Sequence, residues 1–269
     1  MNFKKRHTQT ASGRRRQSGF TLVELSLVLA VIGLIIGAMA IGKDVQRNAE
    51  FTKVKNKFVD QWEQAYNQHY QRTGVVVGDN QTAPRIMVNG AAYTGPNLVL
   101  SGGDMTGVAA TALPRVCDKA GGAGMTNRGT AVATLRTQMT QAGVRMPPGR
   151  AEGFEDRYVY LDSNGNPQEI QVCFQWNPPS SPDGSGNVMI LSGLTPELAR
   201  MLDQMVDGKP DSQEGRFRLQ GVLNGTPNAP GVQWNRTNND AIVAGAELIN
   251  ASLDEAQVVT MVAIYKMNQ

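Results

Sequence analysis

Phe20-Thr-Leu-Val-Glu-Leu-Ser-Leu-Val-Leu-Ala-Val-Ile-Gly-Leu-Ile-Ile-Gly-Ala-Met-Ala-Ile-Gly42 is an apolar run of 23 residues with one charge, Glu24. About 20 such residues cross a bilayer as a helix, so this stretch can span one. Lys4, Lys5, Arg6, Arg14, Arg15 and Arg16 precede it with no acid among them, while Lys43, Asp44, Arg47 and Glu50 follow in near balance. Loop Lys and Arg bias topology toward the cytoplasm, which predicts an N-in, C-out single pass and an extracytoplasmic chain after Gly42. Gly33 and Gly37 form a GxxxG pair that permits close helix approach.

Two processing readings compete. Ala38-Met39-Ala40 supplies the small-residue pattern of an ordinary secretory signal, with a mature chain from Ile41. That reading fits poorly, because an ordinary apolar region runs about 7 to 15 residues. It also leaves Glu24 unexplained, since a carboxylate at the centre of a bilayer costs on the order of 2.5 to 3.5 kcal/mol. Arg14-Arg15-Arg16-Gln17-Ser18-Gly19 followed by Phe20-Thr21-Leu22-Val23-Glu24-Leu25 resembles instead the class III leader of type IV prepilins and type II secretion pseudopilins. The resemblance implies residues 1–19 as a leader cut between Gly19 and Phe20 by a prepilin peptidase, which also acts as the N-methyltransferase of Phe20. It implies retention of residues 20–42 as a helix in the inner membrane and then in a filament core, with other pilin or pseudopilin subunits as partners. Glu24 would pair there with the new Phe20 amine of a neighbour. Relatives often carry a proline near position 41; Ile41 and Gly42 stand here.

Length and composition narrow the rest. The 269 residues carry 26 Lys and Arg against 23 Asp and Glu. Once the basic leader is set aside, the balance is weakly acidic, so no nucleic-acid partner is expected. Two Cys and two His exclude zinc ribbons, iron–sulfur clusters and multi-His sites, and leave almost nothing for a catalytic triad. No enzyme activity and no cofactor are expected. Asn-x-Ser/Thr sequons begin at Asn80, Asn224, Asn235 and Asn250; the prepilin leader implies a bacterial or archaeal export route, and they are assigned no glycans.

No proline occurs before Pro84, so the helix is expected to continue to about Arg72 and stop at Thr73-Gly74. Its second half, residues 43–73, is amphipathic, with Val54, Phe58, Trp62, Ala65, Tyr66 and Tyr70 on one stripe. Residues 74–269 read as a loop-rich α+β extracytoplasmic domain. Short strands are expected at Val75–Val77, Ile86–Val88 and Leu98–Leu100, and a helix at Ala131–Ala142. A hairpin, Arg157–Asp162 and Gln168–Trp176, is expected around Asn164-Gly165, because Asn-Gly accepts the positive φ of tight turns. A strand follows at Val188–Leu191, then a helix opened by Thr195-Pro196-Glu197 and closed at Asp207-Gly208, and a final strand at Val258–Tyr265. The expected fold class is α+β and pilin-like: a long N-terminal helix laid on an antiparallel sheet.

Four further groups bear on chemistry. In an oxidising compartment Cys117 and Cys173 are expected to form a disulfide, worth roughly 4 kcal/mol on a loop of that length. Asp203, Asp207 and Asp211 offer oxygen ligands of the kind through which related pseudopilins bind calcium, but their spacing matches no calcium motif, and helix-end capping and solvation is the preferred reading. Asp162, Asn164 and Asn166 imitate the start of an EF-hand loop, except that Pro167 stands where its glycine belongs, so they read as a turn. His69 reads as a surface or packing residue. The function expected is that of a minor or specialised structural subunit of a type IV pilus or secretion pseudopilus; the alternative is a minor tip pilin acting as adhesin or DNA-uptake receptor.

Overall fold

The computed structural model describes residues 19–95, 99–105, 113–179, 181–222, 234, 241–243, 246–249 and 258–267. They fall into two compact units, one ending at Arg47 and one beginning at Asn48. The first holds most of helix α1 (Leu22–Val54). Every residue from Leu22 to Gln46 is exposed, including Leu25, Leu29, Ile32 and Ile36. An isolated helix that is apolar all round requires an apolar solvent or other helices to cover it.

Within the second unit the helical run continues through one π-helical turn, Lys55–Val59, into α2 (Asp60–Thr73). Gly74 ends it in the left-handed conformation (φ 75°), its N–H donating to the Tyr70 carbonyl at 2.8 Å. The plain 3.6-residue periodicity gave no sign of the π turn, which three interactions spanning five residues stabilise. The Asp60 N–H donates to the Lys55 carbonyl, Lys55 Nζ meets the Asp60 carboxylate at 2.8 Å, and Gln61 Nε2 reaches the Asn56 carbonyl at 3.4 Å. The widened turn buries Phe58 and Val59 side by side. The expected stripe is buried as far as Tyr66. In the last turn it differs: Tyr70 is 37 % exposed and His69, at 3 %, takes the inward place.

A five-stranded antiparallel sheet receives this face, in the order β1-β2-β3-β7-β4. Its strands are β1 (Arg157–Leu161), β2 (Pro167–Asn177), β3 (Gly186–Leu194), β4 (Phe217–Leu219) and β7 (Met261–Lys266). A separate antiparallel pair joins β5 (Ala241–Val243) to β6 (Ala246–Ile249). The β1–β2 hairpin turns at Asn164-Gly165 with Gly165 at φ 83°. Between Ser192 and Leu194 the register of β3 slips at a bulge on Gly193, whose φ is 82° and which leaves no room for a Cβ against the Glu169 carbonyl.

Aromatic pairs lock helix to sheet: Phe51 on Tyr160, Phe58 on Tyr158, and both Trp62 and Tyr66 on Phe174, the last stacked at 4.9 Å. Burying each such ring removes roughly 150–250 Å² from water. The opposite face carries a second apolar cluster of Cys117, Met125, Cys173, Val188, Ile190, Val262 and Ile264. The segment covering it continues the sheet, because Val116 exchanges both backbone hydrogen bonds with Phe174 beyond the point where β1 pairs with β2.

Several expected elements differ in the structure. Val75–Val77, Met87 and Val88 are buried and Ile86 is half-buried, but neither segment forms a strand. Asn187 supplies the partners a neighbouring strand would have given, accepting from Val88 N at 2.8 Å and donating to the Ile86 carbonyl at 2.8 Å. Asp79 accepts the Arg85 and Ile86 amides. Leu98 lies outside the described residues. Helix α3 (Leu135–Gln141) is shorter than expected, since the Thr134 side chain accepts from Thr137 N as its cap. Helix α4 (Pro196–Asp207) matches its signals, capped by Thr195 and closed by Gly208 at φ 78°.

Candidate functional site

The start of α1 is the most specific local arrangement in the chain. Thr21 stands before the first helical residue and Glu24 three places on. The Glu24 carboxylate accepts from both Thr21 N and Thr21 Oγ1, each at 2.9 Å through Oε2, while Glu24 N donates back to Thr21 Oγ1 at 3.3 Å. This is a capping box, in which side chains satisfy amide donors that a helix start leaves unpaired. Oε1 is not used by it. Phe20 and Gly19 are exposed immediately before the box. The pattern Thr-x-x-Glu ahead of an apolar run is legible in the sequence; a reading of Glu24 as a residue awaiting a neighbour's amine leaves out its local partner, Thr21.

Downstream, the helix is long and apolar enough to cross a membrane. Residues 14–40 match the family described as the prokaryotic N-terminal methylation motif. The chain carries a type IV prepilin-like class III signal peptide. The match begins at the basic triplet, spans Gly19, Phe20 and Glu24, and ends within the apolar helix, which is a candidate membrane anchor. Searches of curated proteins and of solved structures return no significant match. With a long N-terminal helix and a five-stranded antiparallel sheet, the architecture behind this prepilin-like peptide is α+β and pilin-like.

The other candidates lie far apart in the second unit. Cys117 and Cys173 are joined as a disulfide, fully buried in the rear cluster, tying the covering segment to the centre of β2. Asp203 is fully buried on α4; its Oδ2 accepts from Asp211 N at 2.6 Å and from Trp234 Nε1 at 2.7 Å. Asp207 Oδ2 accepts from the amides of Arg216 and Phe217, both at 2.9 Å. Asp211 Oδ1 caps Gln213 and Glu214, and its Oδ2 lies 3.2 Å from Lys209 Nζ. These three carboxyls therefore organise the turn between α4 and β4. Among the described residues no group of three or more His, Cys, Asp or Glu is placed to hold a metal ion.

Burial pushes the Asp203 carboxyl up to about 7, and the nearby Asp207 carboxyl adds to the rise against the opposing pull of the Trp234 and Asp211 donors. His69 Nδ1 lies 3.2 Å from the Val75 carbonyl, which makes Nδ1 the protonated nitrogen. Burial lowers its proton affinity, partly offset by that carbonyl. His69 is thus a packed residue at a helix end. Asp162 accepts from Asn164 N and Asn166 N through Oδ1 and shapes the hairpin turn.

Proposed function

We propose that the chain is a minor or specialised structural subunit of a type IV pilus or a type II secretion pseudopilus. A prepilin peptidase cuts between Gly19 and Phe20 on the cytoplasmic face and methylates the new Phe20 amine. The processed chain rests in the inner membrane with its globular unit outside the cytoplasm until other pilin or pseudopilin subunits take it up. The observation that carries this reading is the methylation motif at residues 14–40 set on a helix whose apolar surface, from Leu22 to Gln46, is exposed among the described residues. A bilayer covers that surface in the monomer, and the helices of neighbouring subunits cover it in a filament.

The capping box gives Glu24 two successive partners. In the uncut chain Thr21 holds the carboxylate; in the filament its free Oε1 faces the Phe20 ammonium of the adjacent subunit, so a buried negative charge gains a counter-ion and sets axial register. Intact mass and N-terminal sequencing of the membrane-bound protein test the processing step. A mature chain starting at methylated Phe20 is expected, and one starting at Ile41 would replace this reading with ordinary secretion.

A further inference from the structure

Asp203 is a fully buried carboxyl that neither membrane insertion nor filament assembly uses. Asp203 has both donors on Oδ2, and its Oδ1 is buried without a hydrogen-bond partner. One helical turn on, Asp207 has committed Oδ2 to two backbone amides. Two carboxylates at i and i+4 repel when both are ionised, and more so when one is out of water. Asp207, on the same helix, is the charged side chain that acts on Asp203; Asp211 and Lys209 lie on the following turn, and Arg216 just before β4. Lys209 pairs with Asp211 and Glu214, and the Arg216 guanidinium reaches Glu63 at 3.0 Å. The indole of Trp234, packed against Phe217 at 5.6 Å, brings a donor but no charge. Both cations are engaged elsewhere, and a proton is the group that fits Oδ1.

We infer that a single proton on Asp203 Oδ1, shared with the Asp207 carboxylate, latches the α4–β4 turn and Trp234 to the globular unit, and that the latch loosens when that proton leaves. While protonated, Asp203 donates through Oδ1 to Asp207 and accepts through Oδ2 from Asp211 N and Trp234. When the proton leaves to solvent, two carboxylates face each other across one turn, and separation of the turn from α4 relieves them. The sign follows from the raised proton affinity of the folded state. Stability is complete below about pH 4, where the unfolded chain is also protonated, and is lost as pH rises through the folded value near 7.

The test uses the full chain in detergent micelles. Melting temperature and amide exchange at Asp211, Arg216 and Phe217, corrected for intrinsic rates, are measured from pH 5 to 8 for wild type, Asp203→Asn and Asp207→Asn. Asn keeps a donor and an acceptor at position 203 without titrating. Wild type should lose roughly 5 °C across this range relative to Asp203→Asn, with faster exchange at the three amides at pH 8 only in wild type. Asp207→Asn removes the repelling partner that raises the Asp203 carboxyl, so its loss should be smaller and complete at lower pH. Parallel profiles for wild type and Asp203→Asn would overturn the latch. Should Asp203→Asn fail to fold, an Asp207→Asn profile identical to wild type would overturn it equally. Calcium chloride that restores the pH 8 melting temperature of wild type would do so too, by making the site one for a cation.

Discussion

In the proposed filament subunit Glu24 would serve two partners in turn. In the single chain the Thr21 amide and hydroxyl hold its carboxylate, so its cost in a membrane is already reduced before any neighbour arrives. Glu24→Ala should therefore remove a helix cap, at about 0.5–2 kcal/mol, and yet leave cleavage at Gly19 intact while incorporation into sheared filaments falls sharply. Glu24→Gln keeps the cap geometry and removes the charge. If it matches Ala in filament incorporation, ion pairing is the operative interaction; incorporation at the wild-type level would assign the role to hydrogen bonding alone. His69 makes a second prediction at this scale. Its folded proton affinity is depressed by burial, so the stability it contributes is present above about pH 6.5 and is lost as pH falls through the folded value. Asp203 acts in the opposite direction over part of that range. Melting curves on an Asp203→Asn background should therefore fall between pH 7.5 and 5.5 with His69 and flatten in His69→Gln.

Among the elements, the helix–sheet contact and the disulfide carry the domain. Phe174 receives Trp62 and Tyr66 on one side of β2, while Cys173 beside it points to the rear cluster. Phe174→Ala should cost about 3–5 kcal/mol in chemical denaturation, a larger loss than Val159→Ala on the exposed side of edge strand β1. Cys117→Ser with Cys173→Ser should cost roughly 2–5 kcal/mol and expose the Met125 segment to proteolysis. Elements with their own local signals were legible in the sequence: the hairpin through Asn164-Gly165, α4 through Thr195 and Pro196, the helix end through Gly74. Where the deciding partner was distant, the sequence was silent. Val75–Val77 and Ile86–Val88 have strand composition, but Asn187, about a hundred residues away, satisfies the latter segment. β4, only three residues long, owes its place to two amides bonded to Asp207 and to pairing with β7. Neither cue is local. Tyr70 and His69 exchange places because a helical stripe fixes a face only to within a residue, and the carbonyl of Val75 beyond the helix end selects the histidine.

At the scale of the whole molecule, the chain joins a segment that cannot remain in water to a domain that can. The first unit exposes an unbroken apolar helix, and the second has a two-sided core with its own sheet and disulfide. Under the proposed processing both would be retained, because a cut at Gly19 would leave the apolar helix on the mature protein, whereas a cut before Ile41 would discard most of it. The most direct test is to shear surface filaments, or pseudopili assembled by overexpression, from cells with and without the prepilin peptidase, and to sequence this chain's N-terminus in each fraction. The chain should appear in the filament fraction beginning at methylated Phe20, and without the peptidase it should stay full-length in the membrane. A soluble protein beginning at Ile41, or a full-length membrane protein absent from filaments when the peptidase is active, would contradict the account.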